Sequence, residues 1–154
     1  MRFLLVSVQW PASCVIVFCF QVGKSTFLLQ LIENFHRCFE RDIKSIVYCA
    51  PCLHAAKDSA YVAEMHRVCD AAGKSLSVFD RPPTLQEIKE QCADEEVFLI
   101  LDDLTSYPKK QFSLDLAKLA SSGTSHFNIN SCLILQNPYQ DSGNKKIDLV
   151  TVAR

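Results

Sequence analysis

Apolar residues along this chain alternate between two periods. Short continuous apolar runs give way to stretches where apolar positions recur every three or four residues. The run Lys44-Ser45-Ile46-Val47-Tyr48-Cys49 reads as a buried strand ended by Ala50-Pro51. Ser75-Leu76-Ser77-Val78-Phe79 is a second strand, stopped by Asp80 and Pro82-Pro83, and Ser131–Leu135 is another buried one. Val97-Phe98-Leu99-Ile100-Leu101 is apolar throughout, as in the middle of a parallel sheet. Between these runs the helical period takes over. Phe27, Leu28, Leu31, Ile32 and Phe35 fall on one helical face. A helix over 54–72 carries Ala56, Ala60, Ala63 and Val68 and stops at Gly73. Thr84 opens a helix to about Cys92, with Glu87 placed to complete a capping box. A last helix over 108–121 spaces Phe112, Leu116 and Leu119 for one face. Strands alternating with helices predict an α/β sheet covered on both faces.

Composition narrows the class. A chain of 154 residues makes one domain, and 49% hydrophobic with 21% charged residues excludes a disordered chain. No collagen, linker or heptad repeat is present, and a net charge of −1 excludes a polybasic arm. The eight cysteines mostly sit inside apolar runs, where free cysteine packs as a small hydrophobe. Cys49-Ala50-Pro51-Cys52 has redox or zinc spacing but no matching second pair, so a strand end running into a turn accounts for it.

Residues 1–21 form an apolar leader broken by Trp10-Pro11, short of the ~20 residues a spanning helix needs. Met1-Arg2-Phe3-Leu4-Leu5-Val6 opens like a signal peptide. Three readings fit the leader: a signal or anchor, a degenerate first strand feeding the next loop, or a stretch foreign to the functional protein. The last has a motive. A pyrimidine-rich tract encodes Phe, Leu, Val, Cys and Ser, and CAG encodes Gln21, so a translated intron end before an exon starting near Val22 gives this pattern.

Candidate chemistry begins at Gly23-Lys24-Ser25-Thr26, which opens a helix after an apolar run. That arrangement is the right half of a phosphate loop. Helix N-terminal amides bind phosphate, the lysine adds a point charge, and the Ser25 hydroxyl ligates magnesium. The left half is absent: Phe18 stands where the motif has glycine, and Gln21 and Val22 replace small residues. Asp102-Asp103 directly follows the 97–101 strand, at a carboxyl end where parallel sheets bind ligands. There Asp102 can hold magnesium and Asp103 can orient or deprotonate a water. Gln136-Asn137 ends the next strand, and a neutral amide there can bond a γ-phosphate or the attacking water. Each of these, taken alone, is also an ordinary helix start, strand end or polar turn.

The three stations in this order resemble the additional-strand P-loop ATPases. The wording Val97-Phe98-Leu99-Ile100-Leu101-Asp102-Asp103-Leu104 resembles the Walker B strand of the FtsK–HerA branch. The segment Ser125 to Asn137 is similar to one in DNA-packaging ATPases of Maverick/Polinton elements and large DNA viruses, with Phe127 for a histidine and Leu135 for a threonine. The resemblance spans residues 22–154. It implies a three-layer αβα P-loop fold with a mostly parallel sheet, incomplete at its carboxyl end because such proteins continue past Asp148–Val152. It also implies an ATP-hydrolysing motor that pumps double-stranded DNA into a capsid as a homo-oligomeric ring. ATP and Mg2+ would be its ligands: Gly23, Lys24, Ser25 and Thr26 on the nucleotide, Ser25 and Asp102 on the metal, Asp103 and Gln136 in catalysis. Arg37, Arg41, Arg67, Arg81 and Arg154 are candidates for the arginine such rings insert from a neighbour. Lys109-Lys110, Lys145-Lys146 and His126 are local candidates for DNA contact. An intracellular location, in cytoplasm or nucleus, follows from the same resemblance. The alternatives are a catalytically inactive nucleotide-binding remnant and, from the leader, a small secreted or membrane-anchored protein.

Overall fold

The computed structural model describes residues 13–17, 23–39, 41–50, 59–93, 95–103 and 129–135. In chain order they form β1 (Ser13–Val17), α1 (Lys24–Glu33), α2 (Phe35–Cys38), β2 (Ser45–Cys49), α3 (Ala60–Ala71), β3 (Ser75–Phe79), α4 (Leu85–Cys92), β4 (Val97–Asp102) and β5 (Ile129–Leu135). The strands make one five-stranded sheet in the order β1-β5-β4-β2-β3. Every neighbouring pair is parallel. The chain is therefore an α/β protein, as the alternating periods predict. β5, last in sequence, lies between β1 and β4.

Burial explains the composition of the strands. Every residue of β2 and β4 is buried, because successive side chains enter opposite faces and both faces are covered. On one face Ile46, Tyr48, Phe98, Ile100, Cys132 and Ile134 pack against α1, α2 and α3. On the other, Val47, Cys49, Val97, Leu99, Leu101 and Ile129 pack with Ile88 and Cys92 of α4. Among the described residues β3 pairs only with β2, and it stays partly exposed, which suits its alternating serines. Cys38, Cys49, Cys69, Cys92 and Cys132 are buried, as the packing reading of the cysteines expects.

Two boundaries differ from the sequence periodicity. The run through Phe35 is broken at Asn34, whose side-chain amide donates to the Gln30 carbonyl at 2.8 Å. Asn competes with the backbone for hydrogen bonds and ends helices readily. The break turns Phe35 into an aromatic trio, 5.1 Å from Phe39 and 4.9 Å from Phe98 between ring centres. The helix expected from residue 54 is α3, capped at Ser59, whose hydroxyl accepts from the Val62 N–H. Its buried face is Val62, Met65, Val68 and Cys69, while Ala60 and Ala63 are exposed. Gly73 ends it as expected, with φ +66°. The Thr84–Glu87 capping box is present in full. Residues 1–12, 51–58 and the expected helix over 108–121 lie outside the described residues. Among those described, no helix is long and apolar enough to cross a membrane.

Candidate active site

All five strands point their carboxyl ends to one edge of the sheet, so residues remote in sequence collect there. α1 starts at this edge. Gly23 caps it in the left-handed region (φ +94°), a conformation that glycine adopts without a Cβ penalty. A Cβ at Gly23 would meet nothing within 4 Å, so the glycine is required by its backbone and not by crowding. The first intrahelical bond runs from the Phe27 N–H to the Gly23 carbonyl at 2.8 Å. The amides of Lys24, Ser25 and Thr26 therefore precede the helical ladder, and no side chain among the described residues caps the end. No acidic residue occupies the first turn. Gly23, Ser25 and Thr26 are exposed. The end carries the partial positive charge of the helix dipole and is open to an anion.

Asp102 closes β4 at the same edge, 3% exposed and paired in register with Ile134 of β5. Lys24 Nζ donates to Asp102 Oδ1 at 2.7 Å, across 78 positions of sequence. The other carboxylate oxygen, Oδ2, accepts from the Tyr48 hydroxyl at 2.9 Å. Tyr48 is fully buried near the end of β2. Burial above all, and the adjacent Asp102 charge next, push its phenol well above the ordinary tyrosine range, so it stays a donor. Tyr61 of α3 meets Tyr48 edge-on, with ring centres 6.0 Å apart. Burial, then Asp102, also raise the Tyr61 phenol, while the nearby Ser25 hydroxyl pulls it slightly back. The Ser25 pair falls outside hydrogen-bond geometry, and the buried Tyr61 hydroxyl has no hydrogen-bond partner among the described residues.

Asp103 follows with φ +49°, the left-handed region that Asp tolerates better than most residues. Its N–H still reaches the Ile134 carbonyl at 3.3 Å, so the chain leaves the sheet at this residue while tied to β5. Gln136 lies outside the described residues. It directly follows Leu135, which pairs with Val17 at the end of β1. The sequence-predicted residues thus divide clearly. The structure brings Gly23, Lys24, Ser25, Thr26, Asp102 and Asp103 to one edge. Phe18, Gln21, Val22 and the 136–137 turn lie outside the description, as do His126, Arg154 and the two lysine pairs.

Tyr48 and Tyr61 were not singled out by sequence reasoning. A signal existed for Tyr48: a phenol inside an otherwise apolar strand must find a partner for its hydroxyl. Nothing in the helical pattern marks Tyr61. Three of the candidate arginines are engaged at the surface: Arg41 with Glu96, Arg67 with Glu64, Arg81 with Glu87.

No group of three or more His, Cys, Asp and Glu side chains forms a metal cluster among the described residues. The donors at the edge are the Ser25 hydroxyl and one Asp102 oxygen. That is an oxygen-only set, suited to Mg2+, which binds through one or two protein oxygens and keeps its waters. An ammonium already rests on Oδ1, so the position accepts a cation. The buried Tyr61 hydroxyl offers a further polar contact. The residues therefore fit a hydrated hard cation beside an anion.

No protein-family model matches this chain, and no curated protein matches it. What the coordinates define is an α/β protein with an open, cationic helix N-terminus joined to a buried strand-end carboxylate.

Proposed function

We propose that this chain is a nucleoside-triphosphatase domain, an ATPase of the additional-strand P-loop type. The Lys24–Asp102 pair carries the reading: it links the helix that opens at Gly23 to the acidic strand tip. Placement of β5 between β1 and β4 supports it, since an extra strand between the phosphate-loop strand and the acidic strand characterises that type. In this reading the amides of Lys24, Ser25 and Thr26 receive the phosphates, and Gly23 gives them access. Lys24 moves its ammonium from Asp102 to a phosphate oxygen. Asp102, so freed, and Ser25 would hold the cation. Asp103 orients the attacking water, and Gln136 bonds the terminal phosphate. Bound Mg2+ supplies Lewis-acid stabilisation of charge on the phosphates.

The resemblance to FtsK–HerA DNA-packaging ATPases gives the proposal its finer form: a ring of identical chains driving double-stranded DNA into a capsid. The test is phosphate release from ATP with purified chain, alongside calorimetry of ATP binding. Mg2+-dependent turnover, lost in Lys24→Ala and Asp103→Ala, is expected. Binding without turnover assigns the chain to the inactive remnant instead. Absence of ATP binding rejects both.

A further inference from the structure

The two oxygens of Asp102 are not equivalent. Oδ1 meets the Lys24 ammonium at 2.7 Å. Oδ2 meets a phenol that cannot leave. Tyr48 is fully buried, sits in a strand paired on both sides, and is braced by the Tyr61 ring. Breaking the Tyr48 bond without replacement would strand two buried polar groups, which is costly. We propose that Tyr48 is a positioning residue that reduces Asp102 to a one-oxygen ligand and so selects Mg2+ over Ca2+ at this site.

The inference rests on the nucleotide-binding reading above and names a determinant within it. Mg2+ is small and octahedral and takes a single oxygen from each carboxylate, whereas Ca2+ accepts six to eight oxygens and often both from one carboxylate. With one lone pair of Oδ2 held by Tyr48, the two-oxygen mode that favours Ca2+ is disfavoured. The same constraint makes Lys24 and the metal alternatives. Among the described residues Oδ2 is held by Tyr48, so Lys24 and a cation would compete for Oδ1, and the ammonium would be released towards the phosphates.

The experiment is calorimetry of a non-hydrolysable ATP analogue on the full chain, with Mg2+, with Ca2+ and with neither, for wild type and Tyr48→Phe. Wild type is expected to bind the Mg2+ form more tightly than the Ca2+ form. In Tyr48→Phe the Mg2+/Ca2+ affinity ratio should fall about tenfold, the scale of one hydrogen bond to a charged group. An unchanged ratio, or a parallel loss with both metals, overturns the proposal and leaves the nucleotide reading standing. Failure of wild type to bind the analogue with any cation overturns both. A second readout needs no variant. Infrared spectra of aspartate-labelled wild type should show one-oxygen carboxylate coordination with either metal, and a two-oxygen signature with Ca2+ contradicts the proposal.

Discussion

Two helices of this protein begin in opposite ways. α4 closes its own N-terminus. The Thr84 hydroxyl accepts from the Glu87 N–H at 3.3 Å, and the Glu87 carboxylate accepts from the Thr84 N–H at 2.8 Å. Arg81 adds a guanidinium to the same carboxylate. α1 does none of this. Its cap is a glycine with no side chain, its first turn has no acid, and its one basic group turns to a carboxylate on another element. Every helix start has the same orphan amides and the same partial charge. The protein spends those groups on its own stability at α4 and, among the described residues, leaves them without a side-chain partner at α1. An open end on its own would be unremarkable. At α1 it coincides with a buried carboxylate, a lysine bound to it and a buried phenol that has no hydrogen-bond partner among the described residues, all at the carboxyl edge of a parallel sheet.

The contrast can be broken deliberately. The largest effect is expected for Lys24→Ala, which should reduce ATP turnover by about 10²–10³-fold, the cost of losing one preorganised charge-stabilising group. Thr26→Glu is more diagnostic. It puts a carboxylate at the third helical position of α1, where α4 carries Glu87. The helix should gain about 0.3–1 kcal/mol from the dipole, read in urea denaturation. ATP affinity should drop at least tenfold, because the end is now filled from within. Thr84→Ala should do the reverse, costing about 1 kcal/mol of stability while leaving ATP affinity unchanged.

The smallest effect concerns pH. Arg81 first, then the Thr84 N–H, hold the Glu87 carboxyl down at about 2 against an ordinary 4.5. A carboxyl lowered by folding contributes stability above its unfolded value and loses that contribution as pH falls through its folded value. Glu87→Gln should therefore flatten the stability profile between about pH 4.5 and 2, measured by thermal unfolding across that interval. It should not alter nucleotide binding at neutral pH.

Most of the sheet was legible in the sequence because its strands are apolar for a simple reason: both faces are covered. Val97–Leu101 and Ile46–Cys49 needed no further information. The α4 cap was equally legible, since a capping box is a local pattern. Helix limits were harder. Asn34 breaks a run whose apolar period continues to Phe35, and Ser59 starts α3 later than its alanines suggest. At the site, Lys24, Ser25 and Asp102 were singled out by motif, but the contact of Lys24 with Asp102 was not, because it depends on strand order. The role of Tyr48 was hidden for the same reason. Its partner lies 54 positions away on a neighbouring strand, and only the register of β2 against β4 brings the phenol to Oδ2.

The most direct test of the open-end account is a titration of 15N-labelled protein with Mg2+·ATP, following backbone amides at both helix starts. Saturable shifts at Gly23, Lys24, Ser25 and Thr26, with Leu85, Gln86 and Glu87 unmoved, are the predicted result. Unmoved amides at 23–26, or equal shifts at both helix starts, would contradict it.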